Sequence, residues 1–143
     1  MADPKFPLTS TGAAMAVATS ALRAQQARMR IIAENLANAD STSKTPGGDP
    51  YQRQIPIFQP QRLSNGIQGV QMSKVEPDKR DFKSEYDPSH PSADAKGYVK
   101  MPNVDSLVEA MDMREAQRAY EANLNVIETA RAMQSRTLDL LRK

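Results

Sequence analysis

Residues 104–142 read VDSLVEAMDMREAQRAYEANLNVIETARAMQSRTLDLLR, thirty-nine residues without a proline or a glycine. Those two residues are the strongest helix breakers. Apolar residues recur at helical spacing through the stretch: Leu107, Met111, Ala116 and Tyr120, then Leu124, Ile127 and Ala130, then Met133, Leu138 and Leu141. Asn103, Asp105 or Ser106 can cap its start, and Ser106 with Glu109 fits a capping box. Glu115–Arg118 and Glu128–Arg131 form i,i+3 pairs on the other faces. A helix of this length spans ~58 Å at 1.5 Å per residue. A compact globule of 143 residues is only roughly 35–40 Å across. The helix must therefore kink, or project and bury its stripe against another chain.

Residues 13–40 also lack proline and glycine. Met15, Leu22, Met29 and Leu36 share one heptad position, and Ala18, Gln25 and Ile32 a second. That is an a/d seam with one polar interruption. Ser10 or Thr11 can cap this arm, and Asn38-Ala39-Asp40-Ser41 ends it, because such side chains compete for backbone hydrogen bonds. All ten prolines lie at Pro4 and Pro7 or between Pro46 and Pro102. The middle thus reads as strands and turns. Tyr51–Phe58 is an edge strand marked by Pro56, Gly66–Met72 alternates and extends through Lys74 and Val75, Gly97–Met101 is a short strand, and Asp78–Pro91 is turn-rich.

The expected fold is mainly α, with two long terminal helices forming a coiled-coil arm around a small β-rich module. Its parts are a flexible extension (1–12), a first helix (13–41), the module (42–102) and a second helix (103–143). Two packings remain open. The seams can meet between chains, which the helix lengths favour, or close as a two-helix hairpin within one chain. In the first case the arms are mobile until assembly orders them.

Composition excludes several functions. The chain has no cysteine, no tryptophan and one histidine, so disulfides, thiol nucleophiles and cysteine-based zinc sites are impossible. Nineteen basic against 17 acidic residues give a net charge of +2, too balanced for a field-driven nucleic-acid binder. No segment is long and apolar enough to span a bilayer, and the N-terminal residues lack the pattern of a secretory signal. His90 lies in Asp-Pro-Ser-His-Pro, where a loop histidine bonded to nearby backbone is the expected state. Asp78, Asp81, Glu85, Asp87 and Asp94 do not have EF-hand spacing and are offset by nearby lysines and Arg80. No catalytic, metal or cofactor site is expected. Asn35, Asn38, Asn123 and Asn125 interrupt otherwise good helices. They either fix register in a packed seam or are surface polarity.

Ile32-Ala-Glu-Asn-Leu-Ala-Asn-Ala-Asp40 resembles the N-terminal signature of the bacterial flagellar axial proteins, the rod, hook and hook-associated family. Tyr120-Glu-Ala-Asn-Leu-Asn-Val-Ile127, with Met133 and Leu138-Asp-Leu140, resembles the family's C-terminal heptad segment. Tyr86-Asp-Pro-Ser-His-Pro-Ser-Ala-Asp-Ala-Lys-Gly-Tyr-Val-Lys-Met-Pro-Asn-Val104 resembles a stretch particular to a proximal-rod branch. The chain departs from the family at Met15–Leu22, at Asp105, where Asn is usual, and in residues 1–12, which precede the usual start.

The resemblance implies a structural subunit of the basal-body rod that crosses the periplasm and transmits torque from the motor ring to the distal rod and hook. It implies export by the flagellar type III apparatus without a cleaved signal, and helical polymerisation. Implied partners are further copies, other proximal and distal rod proteins, and the rod-adapter protein of the membrane ring. The helices would pair as coiled coils lining the tube, with the module adding lateral contacts. The expected assembly interface is the two apolar stripes together with Asn35, Asn38 and Asn123. Alternatives are another rod- or hook-type axial protein, or a soluble coiled-coil adaptor or export chaperone.

Overall fold

The computed structural model describes residues 10–142. Helix α1 (Ser10–Ala37) is followed by β1 (Gln54–Arg62), a 3-10 turn (Ser64–Gly66) and β2 (Gln68–Pro77). Then come β3 (Lys83–Tyr86), β4 (Tyr98–Met101) and helix α2 (Ser106–Leu141). The expected extension at 1–12 lies mostly outside the described residues; Ser10–Gly12 already belong to α1.

The helices pair antiparallel within the chain. Asn35 meets Glu109, Arg28 meets Glu115, and Thr11 and Ala14 share a groove with Asn125, Val126, Thr129, Ala130 and Met133. This is the hairpin alternative, so α1 and the first two-thirds of α2 find partners in their own chain. On α2 the buried residues are Glu109, Ala116, Ile127 and Ala130, with Tyr120 and Asn123 half-buried between them. Their three- and four-residue steps follow the heptad rhythm. On α1, Ala18, Ile31, Ile32 and Asn35 are buried, while Met15, Leu22, Met29 and Leu36 are half-buried.

The apolar stripe expected on α2 therefore divides. Ala116, Tyr120, Ile127 and Ala130 turn inward. Leu107, Met111, Leu124, Met133, Leu138 and Leu141 are exposed. The cause is geometric: α1 covers one side of α2, and the apolar residues occupy flanking positions as well as the seam. Length adds to this. The 36-residue α2 spans ~54 Å and the 28-residue α1 ~42 Å. Helix α2 projects without a break, and residues 131–142 are all exposed.

Strands β1 and β2 form a two-stranded antiparallel ribbon with Gln54 opposite Pro77 and Arg62 opposite Gln68. A bulge at Ser73 separates the Ile57–Lys74 and Phe58–Met72 pairs. The ribbon lies along α1 and is clamped at two places. At its base Asn35 bonds both backbone groups of Gln54. At its tip the Val70 N–H donates to Ser20 Oγ at 3.2 Å. Ser20 to Asn35 is about 22 Å along the helix, and Gln54 to Pro60, which faces Val70, is about 20 Å of strand. The near-equal rises let both clamps close together. Gly69 permits the approach, since a Cβ there would lie 2.6 Å from Ser20 Oγ.

Gln54 turns its N–H and C=O away from β2, and backbone direction alternates along a strand. Pro56 and Pro60 have the same parity, so each lacks a donor where none would find a partner. This places proline on a free edge, where it also discourages pairing with another strand.

Strand β3 lies inside the stretch expected to be turns. Lys83-Ser-Glu-Tyr86 is exposed and polar, with no alternation to reveal it. It is defined by pairing with β4, Lys83 to Met101 and Tyr86 to Tyr98, and by an edge-to-face contact between Tyr86 and Tyr98 at 5.3 Å. The joining loop is built on Asp94, whose Oδ1 accepts from the N–H groups of Lys96 and Tyr98. Gly97 closes it with φ +87.

Candidate assembly site

Where the two helices meet the module lies a buried polar cluster. Its members come from four places in the chain: Asn35 on α1, Tyr51–Gln54 entering β1, Asp78 after β2, and Asn103 with Glu109 around the start of α2. Asn35 and Glu109 are each 1% exposed. Buried polar groups persist when every donor and acceptor is paired, and here they are.

Asn35 Nδ2 donates to Gln54 O at 2.9 Å and to Glu109 Oε2 at 3.4 Å. Its Oδ1 accepts from Gln54 N–H at 2.9 Å and Tyr51 Oη at 2.7 Å. The Arg53 guanidinium lies between three carboxylates. Nε donates to Glu109 Oε1, Nη1 to Asp78 Oδ2 at 3.2 Å, and Nη2 lies 3.7 Å from Asp112 Oδ2. Asn103 Oδ1 accepts from Arg53 N–H at 2.8 Å, while Nδ2 donates to the carbonyls of Asp78 and Arg80. Arg80 Nη2 completes the group at 2.7 Å from Asp78 Oδ2.

These contacts set the charges. Hydrogen bonds from the Arg80 side chain, against the cost of burial, hold the Asp78 carboxyl down at about 2. Burial opposes the Arg53 cation, but its bonds to Glu109 and Asp78 outweigh that and raise its pKa above the usual guanidinium value. Burial, with the nearby Glu34 and Glu109 charges, raises the Tyr51 phenol.

Glu109 is thus absorbed by Arg53 and Asn35 instead of a capping box with Ser106. The α2 cap is Asp105, whose Oδ1 accepts from Leu107 N–H at 3.0 Å and Val108 N–H at 3.4 Å. Glu115 reaches across to Arg28 at 3.4 Å instead of along α2 to Arg118.

The other asparagines act locally. Asn38 Nδ2 returns to Glu34 O and Asn123 Nδ2 to Ala119 O, both at 2.8 Å, while Asn125 is exposed. Gln25, the polar interruption in the α1 seam, keeps a buried Oε1 with no hydrogen-bond partner among the described residues. His90 Nδ1 accepts from Ser92 N–H at 3.0 Å, a loop contact. Asp87 and Asp94 are engaged by turn donors. Among the described residues no group of three His, Asp or Glu side chains could hold a metal ion. Nor is any described helix long and apolar enough to cross a membrane.

The cluster fixes the module on the helix pair, but it is not itself a surface. Val17 on α1 and the Tyr86–Tyr98 pair of the module are exposed, but most of the large exposed apolar residues among those described are on α2, with Leu107 and Met111 at one end and Met133, Leu138, Leu140 and Leu141 at the other. Of the residues expected to form an interface, Ala18, Ile32, Asn35, Ile127 and Ala130 are spent inside the chain. Leu107, Met111, Leu124, Leu138 and Leu141 remain open. Sequence reasoning missed Arg53, Asp78, Asn103 and Glu109. The buried role of Glu109 had no signal beyond its place among the residues of the α2 seam.

Two family models match the chain. "Flagella basal body rod protein" covers residues 15–43 and "Flagellar basal body rod FlgEFG protein C-terminal" covers residues 95–140. These spans hold most of α1 and nearly all of α2, with Asn35 in the first and Asn103 and Glu109 in the second. A flagellar basal-body rod protein FlgC of Agrobacterium fabrum is 48% identical over 131 residues, 91% of this chain and 94% of its own. Proteins of the same name from Escherichia coli O157:H7 and Bacillus subtilis (strain 168) are 42% and 37% identical, each over 87% of this chain and 92% and 93% of their own. With such likeness along nearly its whole length, the chain belongs to the FlgC family of flagellar basal-body rod proteins.

Proposed function

We propose that the chain is a structural subunit of the flagellar basal-body rod and that it joins the rod through the exposed apolar face of α2. The observation that carries this is the exposed end of α2, where Met133, Leu138, Leu140 and Leu141 are each more than half exposed on a helix that outruns its partner. Monomeric proteins seldom leave such residues grouped in water. A helix end projecting from one subunit onto a different surface of the next makes a heterologous contact, and such contacts propagate into helical arrays.

In this reading the intrachain helix pair packs further against neighbouring pairs in coiled-coil fashion, lining the tube. The buried Arg53 cluster holds the ribbon module at a fixed angle on that pair, as torque passed from motor ring to distal rod requires. The neighbours are copies of this chain, other rod proteins and the rod-adapter of the membrane ring, reached after passage through the type III export apparatus. Fractionation tests the reading: the chain sediments with detergent-extracted basal bodies. A chain found entirely as a discrete soluble complex would instead be an adaptor or export chaperone.

A further inference from the structure

We propose that the groove between α1 and the ribbon tip receives the outer face of α2 from a second copy of the chain, with Leu124 on Ala27 between two Arg–Glu pairs. The groove holds about 750 Å³, with Ala16, Thr19, Arg23 and Ala27 on its α1 wall and Leu63 and Met72 on its ribbon wall. Arg23 is exposed, and so is Arg30, seven residues on and 4.0 Å from Glu34. On α2, Glu121, Leu124 and Glu128 share one face. That face lies outside the intrachain seam: Leu124 is 38% exposed and both glutamates are exposed. Among the described residues Arg23, Glu121 and Glu128 form no ion pair. Charge favours this match, since α1 has three arginines against one glutamate and α2 six acids against four arginines.

The spacing sets the register. Arg23, Ala27 and Arg30 are separated by steps of four and three, and Glu128, Leu124 and Glu121 by the same steps read backwards. Laid antiparallel, Arg23 meets Glu128, Ala27 meets Leu124 and Arg30 meets Glu121, the two charge pairs about 10.5 Å apart on both helices. The match continues in the other direction, with Ala132 opposite Thr19 and Ser135 opposite Ala16. These side chains are small and let the helix axes approach closely. The helices of one chain are themselves antiparallel. A copy in the same orientation therefore brings its α2 to this α1 in the required sense. Each copy offers one groove and one strip, so the contact is heterologous and repeats. Exposed ion pairs add little affinity but fix register. The inference rests on the reading that copies of the chain pack side by side in the rod.

The absence of cysteine makes the test direct. Ala27→Cys and Leu124→Cys are introduced together in the full chain, and isolated basal bodies are oxidised. A disulfide needs Cα atoms within roughly 7 Å. Within one chain Arg28 faces Glu115, which leaves positions 27 and 124 about 12 Å apart along the pair. The expected product is therefore a ladder of linked chains, while each single variant stays unlinked. Arg23→Glu with Arg30→Glu lowers the ladder yield about fivefold or more, because like charges then face each other. Adding Glu121→Arg with Glu128→Arg restores it. The same charge variants without cysteines, read by sedimentation with basal bodies, follow the same loss and recovery. A chain present in basal bodies but unlinked overturns the inference alone, as does a yield indifferent to charge reversal or not restored by the second pair. Absence of the unsubstituted chain from basal bodies overturns the rod reading as well.

Discussion

Asn35 grips Gln54 as a neighbouring strand would: its amide accepts from the Gln54 N–H and donates to the Gln54 carbonyl, both at 2.9 Å. A helix side chain thereby occupies the outer edge of β1 at the base of the ribbon. Replacing Asn35 by Leu leaves the Gln54 pair, the Tyr51 hydroxyl and part of Glu109 without partners. Unsatisfied buried groups cost about 1–3 kcal/mol each; Gln54 and Tyr51 are only half-buried and can turn partly to water, so Asn35→Leu should lower stability by about 2–4 kcal/mol in all. Urea unfolding measures it; a loss under about 0.5 kcal/mol would show the grip to be incidental.

Arg53 and Glu109 form a buried charge pair shared with Asp78. Removing either partner strands the other, which costs about 3–5 kcal/mol. Arg53→Met with Glu109→Leu removes both charges and should cost less than the two single changes added together. A double-mutant cycle with coupling near zero would contradict the pairing.

Acid should loosen the same junction. The Asp78 carboxyl titrates at about 2 in the folded chain against ~3.9 when unfolded. The folded state binds its proton less readily, so the contribution is complete above about pH 5 and is lost as pH falls toward 2. Its size is about 1–2 kcal/mol, allowing for screening at the exposed Arg80 partner. Asp78→Asn should flatten this part of the stability profile; a profile of unchanged slope would place the acid sensitivity elsewhere.

Gln25 is the seam's weak point, with Oε1 buried and unpaired. Gln25→Leu should stabilise the subunit by about 0.5–2 kcal/mol, the penalty of such a group. Thermal unfolding reads this as a raised Tm, and a lowered Tm would mean that the amide is satisfied in solution.

Folding and assembly lesions should separate along α2. Ile127 is 9% exposed inside the helix pair, so Ile127→Asp should unfold the subunit, at a cost above about 3 kcal/mol. Leu138→Asp, at an exposed site, should change stability by about 1 kcal/mol or less yet keep the chain out of rods. Normal motility with Leu138→Asp would exclude this end of α2 from the interface.

The helices were legible because residues 13–40 and 104–142 hold no proline or glycine, and the seam residues Ala18, Ile32, Ile127 and Ala130 were legible from period alone. The choice between interchain and intrachain pairing was not. Apolar spacing reports which face is buried, not what buries it, and Leu107 and Met111 looked the same as Ile127. Strand β3 was hidden because both its faces are exposed and polar. The cluster was hidden for a different reason. Asn35, Arg53, Asp78, Asn103 and Glu109 are scattered along the sequence, and those that were singled out had local readings: Asn35 as seam register or surface polarity, Asn103 as a cap, Glu109 as a capping-box partner and Asp78 as one of a run of carboxylates.

The most direct measurement is an electron-microscopy map of isolated basal bodies with side chains of this chain traced in the rod. The account predicts α1 and α2 antiparallel within each subunit, Asn35 on Gln54, and Leu138, Leu140 and Leu141 buried against neighbouring subunits. A rod that lacks this chain, or one in which those three leucines face solvent, would contradict it.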